Sequence, residues 1–390
     1  MKIAMLSWES LHSIAVGGVA AHVSELSAAL AARGHDVHVF TRPGHGGQKN
    51  HEQIAGVWYH RCPYRGDRDF PTEMDNMCNS FLWHLREAEA HMGSAFDVVH
   101  GHDWLTAKGV VRAKNEHRNR AVLTMHSTEY GRSGNRFNKG LSERISHLEW
   151  EGLYCADHVI AVSNTLKTEL GWIYKVPETK TQTIYNGICA ERYDAPPADI
   201  GEVRRRYAIG PMDPVVLFVG RLTWQKGPDI LLNTVPGMLA HYRHAKYVFV
   251  GDGDMRGGLE RQAHQMGVAG AVRFLGKKGG RELVELFHLA DVLVVPSRNE
   301  PFGIVILEGW AAGKPVVATQ NGGPSEIVRH GHNGLHCFDK PDSVAWGVGT
   351  TLMDFDNARR MGGNGWASAQ ADFSWTVIAA QTEAVYQTLL

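Results

Sequence analysis

The sequence predicts an α/β chain built from two successive doubly wound units, each a parallel sheet joined by crossover helices. Three observations predict it. Ile3–Leu6 is a continuous apolar run of the kind a buried parallel strand requires, and Gly17-Gly18, a helical pattern and a second strand at Asp36–Thr41 follow it. The same order restarts at Val215–Val219, which ends at Gly220. A length of 390 residues also exceeds one core at about 150 residues per domain.

In the first unit, Lys2–Ser7 opens the sheet, and Val19, Val23, Leu26 and Leu30 recur at helical spacing with Gly34 as the stop. Asp97–His100, Ala121–Thr124 and His158–Val162 read as further strands. Ala190–Pro214 is charged and contains proline, so it reads as a linker with a short helix. Tyr247–Val250, Arg273–Leu275, Val292–Val295 and Pro315–Ala318 then alternate with helical segments, and Trp375–Leu390 reads as one amphipathic helix. The predicted domains are 1–190, 191–374 and a terminal helix at 375–390.

Composition narrows the function. A hydrophobic content of 43% with 21% charged residues excludes a chain disordered throughout. Lys and Arg number 40 against 41 Asp and Glu, so the global field that nucleic acid or an anionic membrane would require is absent. Five scattered cysteines without a C-x-x-C spacing exclude a disulfide scaffold or a zinc knuckle and suit the cytoplasm. Met1–Glu9 is too short an apolar run for a signal peptide, and no stretch approaches the roughly 20 apolar residues of a membrane span. The basic stretches Arg112–Arg120 and Arg132–Arg144 lack an apolar stripe and read as solvated helix faces rather than membrane surfaces.

The densest chemistry lies in Pro296-Ser297-Arg298-Asn299-Glu300-Pro301-Phe302-Gly303-Ile304-Val305-Ile306-Leu307-Glu308. A strand ending at Val295 and a helix starting near Gly303 put this loop at the sheet edge where α/β folds bind ligands. A helix start carries the equivalent of roughly +0.5 charge on its free amides and suits a diphosphate. Phe302, Gly303, Ile304 and Val305 are therefore candidate ligand contacts. Glu300 is placed to accept hydrogen bonds from a sugar, and Glu308 from ribose hydroxyls. Taken singly, Glu300 also fits a carboxylate complementing the helix dipole, and Glu308 an ordinary exposed helix residue. Gly220-Arg221-Leu222-Thr223-Trp224-Gln225-Lys226-Gly227 likewise joins a strand end to a helix. Arg221 and Lys226 are its candidate cations, although spacing alone fits two surface residues equally well.

Together with Ala311-Ala312-Gly313-Lys314-Pro315-Val316-Val317-Ala318 and Asn321-Gly322-Gly323, the paired glutamates resemble the signature of family 4 retaining glycosyltransferases. The resemblance runs over nearly the whole chain; Gly309-Trp310 departs from the Ala-Met common in the family. It implies the GT-B fold, with two facing Rossmann-like domains, a central cleft and a C-terminal helix crossing back to the first domain. It further implies that Glu300 contacts the donor sugar, Glu308 the ribose, and Arg221 and Lys226 the diphosphate. No metal or other cofactor is implied beyond the co-substrate, an ADP-, UDP- or GDP-sugar. His126, after the strand Ala121–Thr124, is implied to lie against the donor sugar. His102-Asp103-Trp104 resembles bacterial and archaeal glycogen synthases, implying acceptor-side roles: Asp103 orienting a hydroxyl and Trp104 stacking on a pyranose. The expected activity is retaining hexosyl transfer, with glucose as the sugar and a saccharide as the acceptor. The His-Asp-Trp element and Phe373-Ser374-Trp375 favour α-1,4-glucan extension, as in glycogen biosynthesis. A lipid-linked or cell-surface saccharide is the alternative acceptor. A sugar-nucleotide epimerase or a non-catalytic nucleotide-sugar binding protein is the alternative of another class.

Three further signals carry less. Gly17-Gly18 permits close backbone approach to the donor but is not a G-x-G-x-x-G fingerprint, which disfavours a dehydrogenase. Ser163 lacks the Gly-x-Ser-x-Gly elbow of a serine hydrolase. Strand alternation puts His100 and His102 on one side, but no third and fourth ligand accompany them, so no metal is expected.

Overall fold

The computed structural model describes residues 1–390. The chain divides into two compact units, Met1–Gly187 with Trp375–Leu390, and Ile188–Ser374. The first boundary therefore falls at 187 rather than 190. Ile188 is already tied into the second unit, its N–H donating to the Phe373 carbonyl at 2.8 Å. Much of the expected linker is also ordered there, with a 3-10 turn at Ala190–Tyr193 and a helix at Ile200–Arg206.

The first unit holds an eight-stranded sheet: β1 (Lys2–Ser7), β2 (Asp36–Thr41), β3 (His51–Ile54), β4 (Val57–Arg61), β5 (Val98–His102), β6 (Arg120–Met125), β7 (His158–Ala161) and β8 (Thr181–Thr183). Their order is β3-β4-β2-β1-β5-β6-β7-β8. All neighbours run parallel except β3 and β4. That hairpin turns through Ala55 at φ 50° and Gly56 at φ 80°, the two positive φ angles a tight hairpin needs. The helix Gly18–Ala32 follows β1, and the terminal helix Trp375–Gln387 packs beside it. The Trp375 indole N–H donates to Glu25, and Glu383 pairs with Arg33 and His35. Gly187 has no room for a side chain, because a Cβ there would lie 2.5 Å from the Trp375 ring.

The second unit holds an all-parallel sheet of β9 (Val215–Val219), β10 (Lys246–Val250), β11 (Val272–Phe274), β12 (Val292–Val295), β13 (Val316–Thr319) and β14 (Leu335–Cys337). The order is β11-β10-β9-β12-β13-β14. Its core gathers Val216, Phe218, Tyr247, Phe249, Val292 and Val294 against Leu231, Val235 and Val348 of the covering helices. The order in which strands are added to this sheet reverses between β9 and β12. The loops that leave their carboxyl ends diverge there, opening the crevice in which α/β sheets take ligands. In the first unit the reversal lies between β1 and β5. No helix is long and apolar enough to cross a membrane.

Candidate active site

The two loops at the β9/β12 reversal are Gly220–Gly227 and Pro296–Gly303, and they are bonded to one another. The Arg298 N–H donates to the Gln225 carbonyl at 2.8 Å. The Lys226 ammonium donates to both oxygens of Glu300 at 2.8 and 2.7 Å, and the Ser297 hydroxyl adds a bond at 3.0 Å. Glu300 is 5% exposed and Lys226 half-buried, so the pair is sheltered at the rim of the sheet. Arg221 is exposed nearby in sequence and donates to Gln225 Oε1 at 3.4 Å. Arg298, which the sequence does not single out, latches the two loops: it grips both oxygens of Asp229 at 2.9 and 2.6 Å and lies 5.0 Å above the Trp224 ring.

Close backbone approach explains the glycines of these motifs. Gly227 adopts φ 64°, and a Cβ there would lie 2.1 Å from the Pro296 carbonyl oxygen. Gly322, at φ 91°, bridges Glu300, and its Cβ would lie 2.2 Å from the Glu300 carbonyl oxygen. The Asn321-Gly322-Gly323 turn therefore clamps the Glu300 backbone, with Glu300 N–H donating to Asn321 O at 3.1 Å and Gly323 N–H to Glu300 O at 2.8 Å. The turn after β10 supports the Arg221 loop the same way: Leu222 N–H donates to the Asp252 carbonyl at 2.9 Å. This Gly251-Asp252-Gly253 turn lies outside the motifs singled out from the sequence, although its paired glycines are a readable sign of close approach.

The helix Ile304–Ala311 begins after Gly303 at φ 98°, with no side-chain cap and no acidic residue in its first turn. Its first amides, including those of Ile304 and Val305, therefore keep the positive end of the dipole uncompensated by a carboxylate. Glu308 is half-buried on this helix and accepts from the Tyr193 hydroxyl at 3.0 Å, so it is not the ordinary exposed residue of the plainer reading. Phe302 departs from its expected role as a ligand contact. It is 2% exposed and packs against Phe373, which makes it part of the support under the loop.

The first unit rearranges several expectations. Gly17 N–H and Val16 N–H both donate to Glu9 Oε2, at 2.7 and 2.6 Å. The loop before helix Gly18–Ala32 thus carries its own carboxylate, and Gly17, at an extended φ of −148°, is not held open for a ligand by strain. Burial raises the Glu9 carboxyl above its usual range, while the two amides oppose that rise. Trp104 is not a sugar platform: it is 6% exposed and packs edge-on against Phe70 within the core under Met74, Phe81 and Ile145. Asp103, at φ 56°, uses Oδ1 to accept the His126 N–H at 2.7 Å. It thereby shapes the His126 loop. Burial pushes its carboxyl upward, partly offset by Arg132.

His126 is half-buried, and burial pushes its imidazole down to about 3. It is therefore neutral at ordinary pH. Beneath its loop lies a network absent from the sequence reading. Fully buried Glu149 pairs with Arg132 at 2.6 Å and accepts Glu129 N–H at 2.9 and 3.0 Å and the Tyr174 hydroxyl. Arg132 also donates to the Ser127 hydroxyl at 2.7 Å. It thus turns inward, unlike the solvated face expected of the Arg132–Arg144 segment. The other basic stretch is neutralised locally: Arg112 pairs with Asp75 at 2.7 Å and Lys114 with Asp157 at 2.8 Å. His100 and His102 do stack, with centroids 4.4 Å apart, but both His100 nitrogens are used, by Tyr386 and Thr124 at 2.6 Å each.

Two doubly wound units, the second with an ion pair and an uncapped helix start at its topological switch point, have the architecture of the GT-B class. Comparison with known proteins agrees. Residues 16–192 match the Glycosyltransferase Family 4 model and residues 199–366 the model for Glycosyl transferases group 1. The chain is 38% identical to an uncharacterized glycosyltransferase of Methanocaldococcus jannaschii, over 99% of this chain and 98% of that one. It is 31% identical to the glycogen synthase of Mycobacterium tuberculosis, covering 99% and 94% of the two chains. Among solved structures, sucrose-phosphate synthase of Thermosynechococcus elongatus superposes with a TM-score of 0.83 at 26% identity, covering 100% of this chain and 98% of that one. The chain belongs to family 4 of the glycosyltransferases, whose GT-B members use nucleotide sugars as donors.

Proposed function

We propose that the chain is a retaining hexosyltransferase that moves glucose from a nucleotide-diphosphate sugar to a saccharide acceptor, with α-1,4-glucan extension as its reaction in the cytoplasm. The observation that carries this reading is the sheltered Lys226–Glu300 pair at the β9/β12 switch point. Glu308 binds the ribose. Arg221, Lys226 and the amides at the start of Ile304–Ala311 bind the diphosphate, and Glu300 holds the sugar. Breaking the glycosyl–phosphate bond leaves negative charge on the diphosphate and an oxocarbenium-like sugar. Cations fixed before that charge develops stabilise the transition state more than the ground state. The Lys226–Glu300 bond holds both side chains in place, so little reorganisation accompanies donor binding. The departing phosphate oxygen accepts the acceptor's hydroxyl proton on the face it leaves, which yields retention without a protein nucleophile. The likeness to glycogen synthase along nearly the full chain supports a glucan acceptor.

The test is a panel of ADP-, UDP- and GDP-sugars incubated with and without short α-1,4-glucans, with products identified by mass and linkage. Glucan elongation with an α-linkage is expected. A donor altered without acceptor points to an epimerase, and binding without turnover to a non-catalytic protein. Either result overturns the reading, as does failure to extend any glucan.

A further inference from the structure

The structure assigns a transition-metal site to His22, His102 and His126 of the first unit, which we propose binds one Zn²⁺ or Co²⁺ ion through three imidazole nitrogens. The residues come from three places: the helix Gly18–Ala32, the end of β5 and the loop after β6. Each offers one ligand nitrogen, and these lie within 4.8 Å of one another. His102 Nδ1 and His126 Nε2 are 3.2 Å apart. Two nitrogens bound at 2.0–2.1 Å to a tetrahedral ion stand about 3.3 Å apart, so this pair already has ligand spacing. The His22 ring meets the His126 ring edge-on, with centroids 4.6 Å apart.

Two features go beyond proximity. His22 Nδ1 bonds Asn186 Oδ1 at 2.7 Å, so Nδ1 carries the proton and Nε2 presents its lone pair. An outer-shell acceptor fixes the tautomer of metal-bound histidines in the same way. That Nε2 is buried without any hydrogen-bond partner, on a residue 3% exposed. An unpartnered buried nitrogen on a ring packed against two further imidazoles completes a set of three nitrogen donors. The three nitrogens are neutral donors of borderline softness, which suit Zn²⁺, Co²⁺, Ni²⁺ or Cu²⁺ rather than Mg²⁺ or Ca²⁺. His126 is half-buried, which leaves an entry side and an open fourth position for water. Asp103 is not a ligand here, since its carboxylate holds the His126 amide.

The experiment uses the full chain, stripped with a chelator and titrated with Co²⁺ and then Zn²⁺ in the absence of any sugar nucleotide. Its outcome is therefore independent of the proposed transfer reaction. One equivalent of Co²⁺ is expected, giving the visible absorption of a nitrogen-ligated low-coordinate ion, displaced by Zn²⁺. His22→Gln is expected to weaken binding by more than about 100-fold, and Asn186→Ala by about 10–100-fold, with folding of each variant checked by circular dichroism. If His22→Gln fails to fold, Asn186→Ala decides. A second group of rings, including His51 and His84 at a centroid distance of 6.1 Å, provides the control. His51→Ala combined with His84→Ala is expected to leave the single site in place. Absence of saturable binding overturns the proposal, as does binding untouched by His22→Gln and Asn186→Ala or abolished by the control pair.

Discussion

Lys226 and Trp104 show how differently two residues of similar promise behave once placed. Lys226 stands 2.7 Å from the Glu300 carboxylate at the switch point. Lys226→Ala is expected to lower turnover on the true donor by on the order of 10²–10³, measured well below a melting temperature that also falls because the buried Glu300 carboxylate loses its partner. Near-normal turnover would remove it from the diphosphate site. Trp104 is buried in the core of the first unit, at 6% exposure. Trp104→Ala is expected to cost about 3–5 kcal/mol in denaturant unfolding, the usual cost of emptying a large aromatic site. A variant that unfolds like the parent but fails to bind glucan would restore the stacking role.

Among the elements, the helices around Trp310 form the most constrained packing. Trp310 replaces the methionine common in the family, is fully buried, and donates its indole N–H to the Asn333 carbonyl at 2.9 Å. It fits because helix Phe355–Asp372 presents Gly365 to it: a Cβ there would lie 2.2 Å from the indole. Glycine to alanine inside a helix ordinarily gains up to about 1 kcal/mol, whereas overpacking a core costs about 1–3 kcal/mol. The clash dominates, so Gly365→Ala is expected to destabilise the second unit. A raised unfolding midpoint would contradict this packing. Trp310 is thus accommodated by Gly365 of the neighbouring helix.

Across the molecule, charge and protonation set the response to pH. The basic stretches meet carboxylates locally, which accords with a net charge of −1. Buried histidines held below their usual range are acid-sensitive groups. His60, 2.8 Å from His38 and 2.9 Å from His51, is pushed down to about 3 by burial and then by those rings. Between pH 3 and the ordinary value of 6.5 the unfolded chain binds a proton that the folded chain refuses. Its contribution is therefore complete above 6.5 and is lost as pH falls toward 3. Burial raises Glu9, Asp103 and Glu149, which act in the opposite sense, so a difference measurement is needed. His60→Gln is expected to flatten the fall of melting temperature between pH 7 and 4 relative to the parent. An unchanged slope would remove His60 as a source of acid sensitivity.

The fold was legible where physics acts on neighbours in the chain. Buried parallel strands are continuous apolar runs, so β1, β9 and β12 could be read directly, as could the glycine turns around Glu300. The β3–β4 hairpin could not, because His51-Glu52-Gln53-Ile54 is a polar edge and its turn places Ala55 at a positive φ that local preference disfavours. Lys226 and Glu300 carried their chemistry in local motifs, but only the crossing of β9 beside β12 brought them within 2.7 Å. The meeting of His22 with His102 and His126, the Glu9 carboxylate on the Gly17 amide, and the burial of Trp104 had no local sign at all. A residue's type states what chemistry it offers, whereas its dielectric surroundings and partners come from chain segments far away. Those distant segments turned a supposed sugar platform into core and three scattered histidines into one cluster.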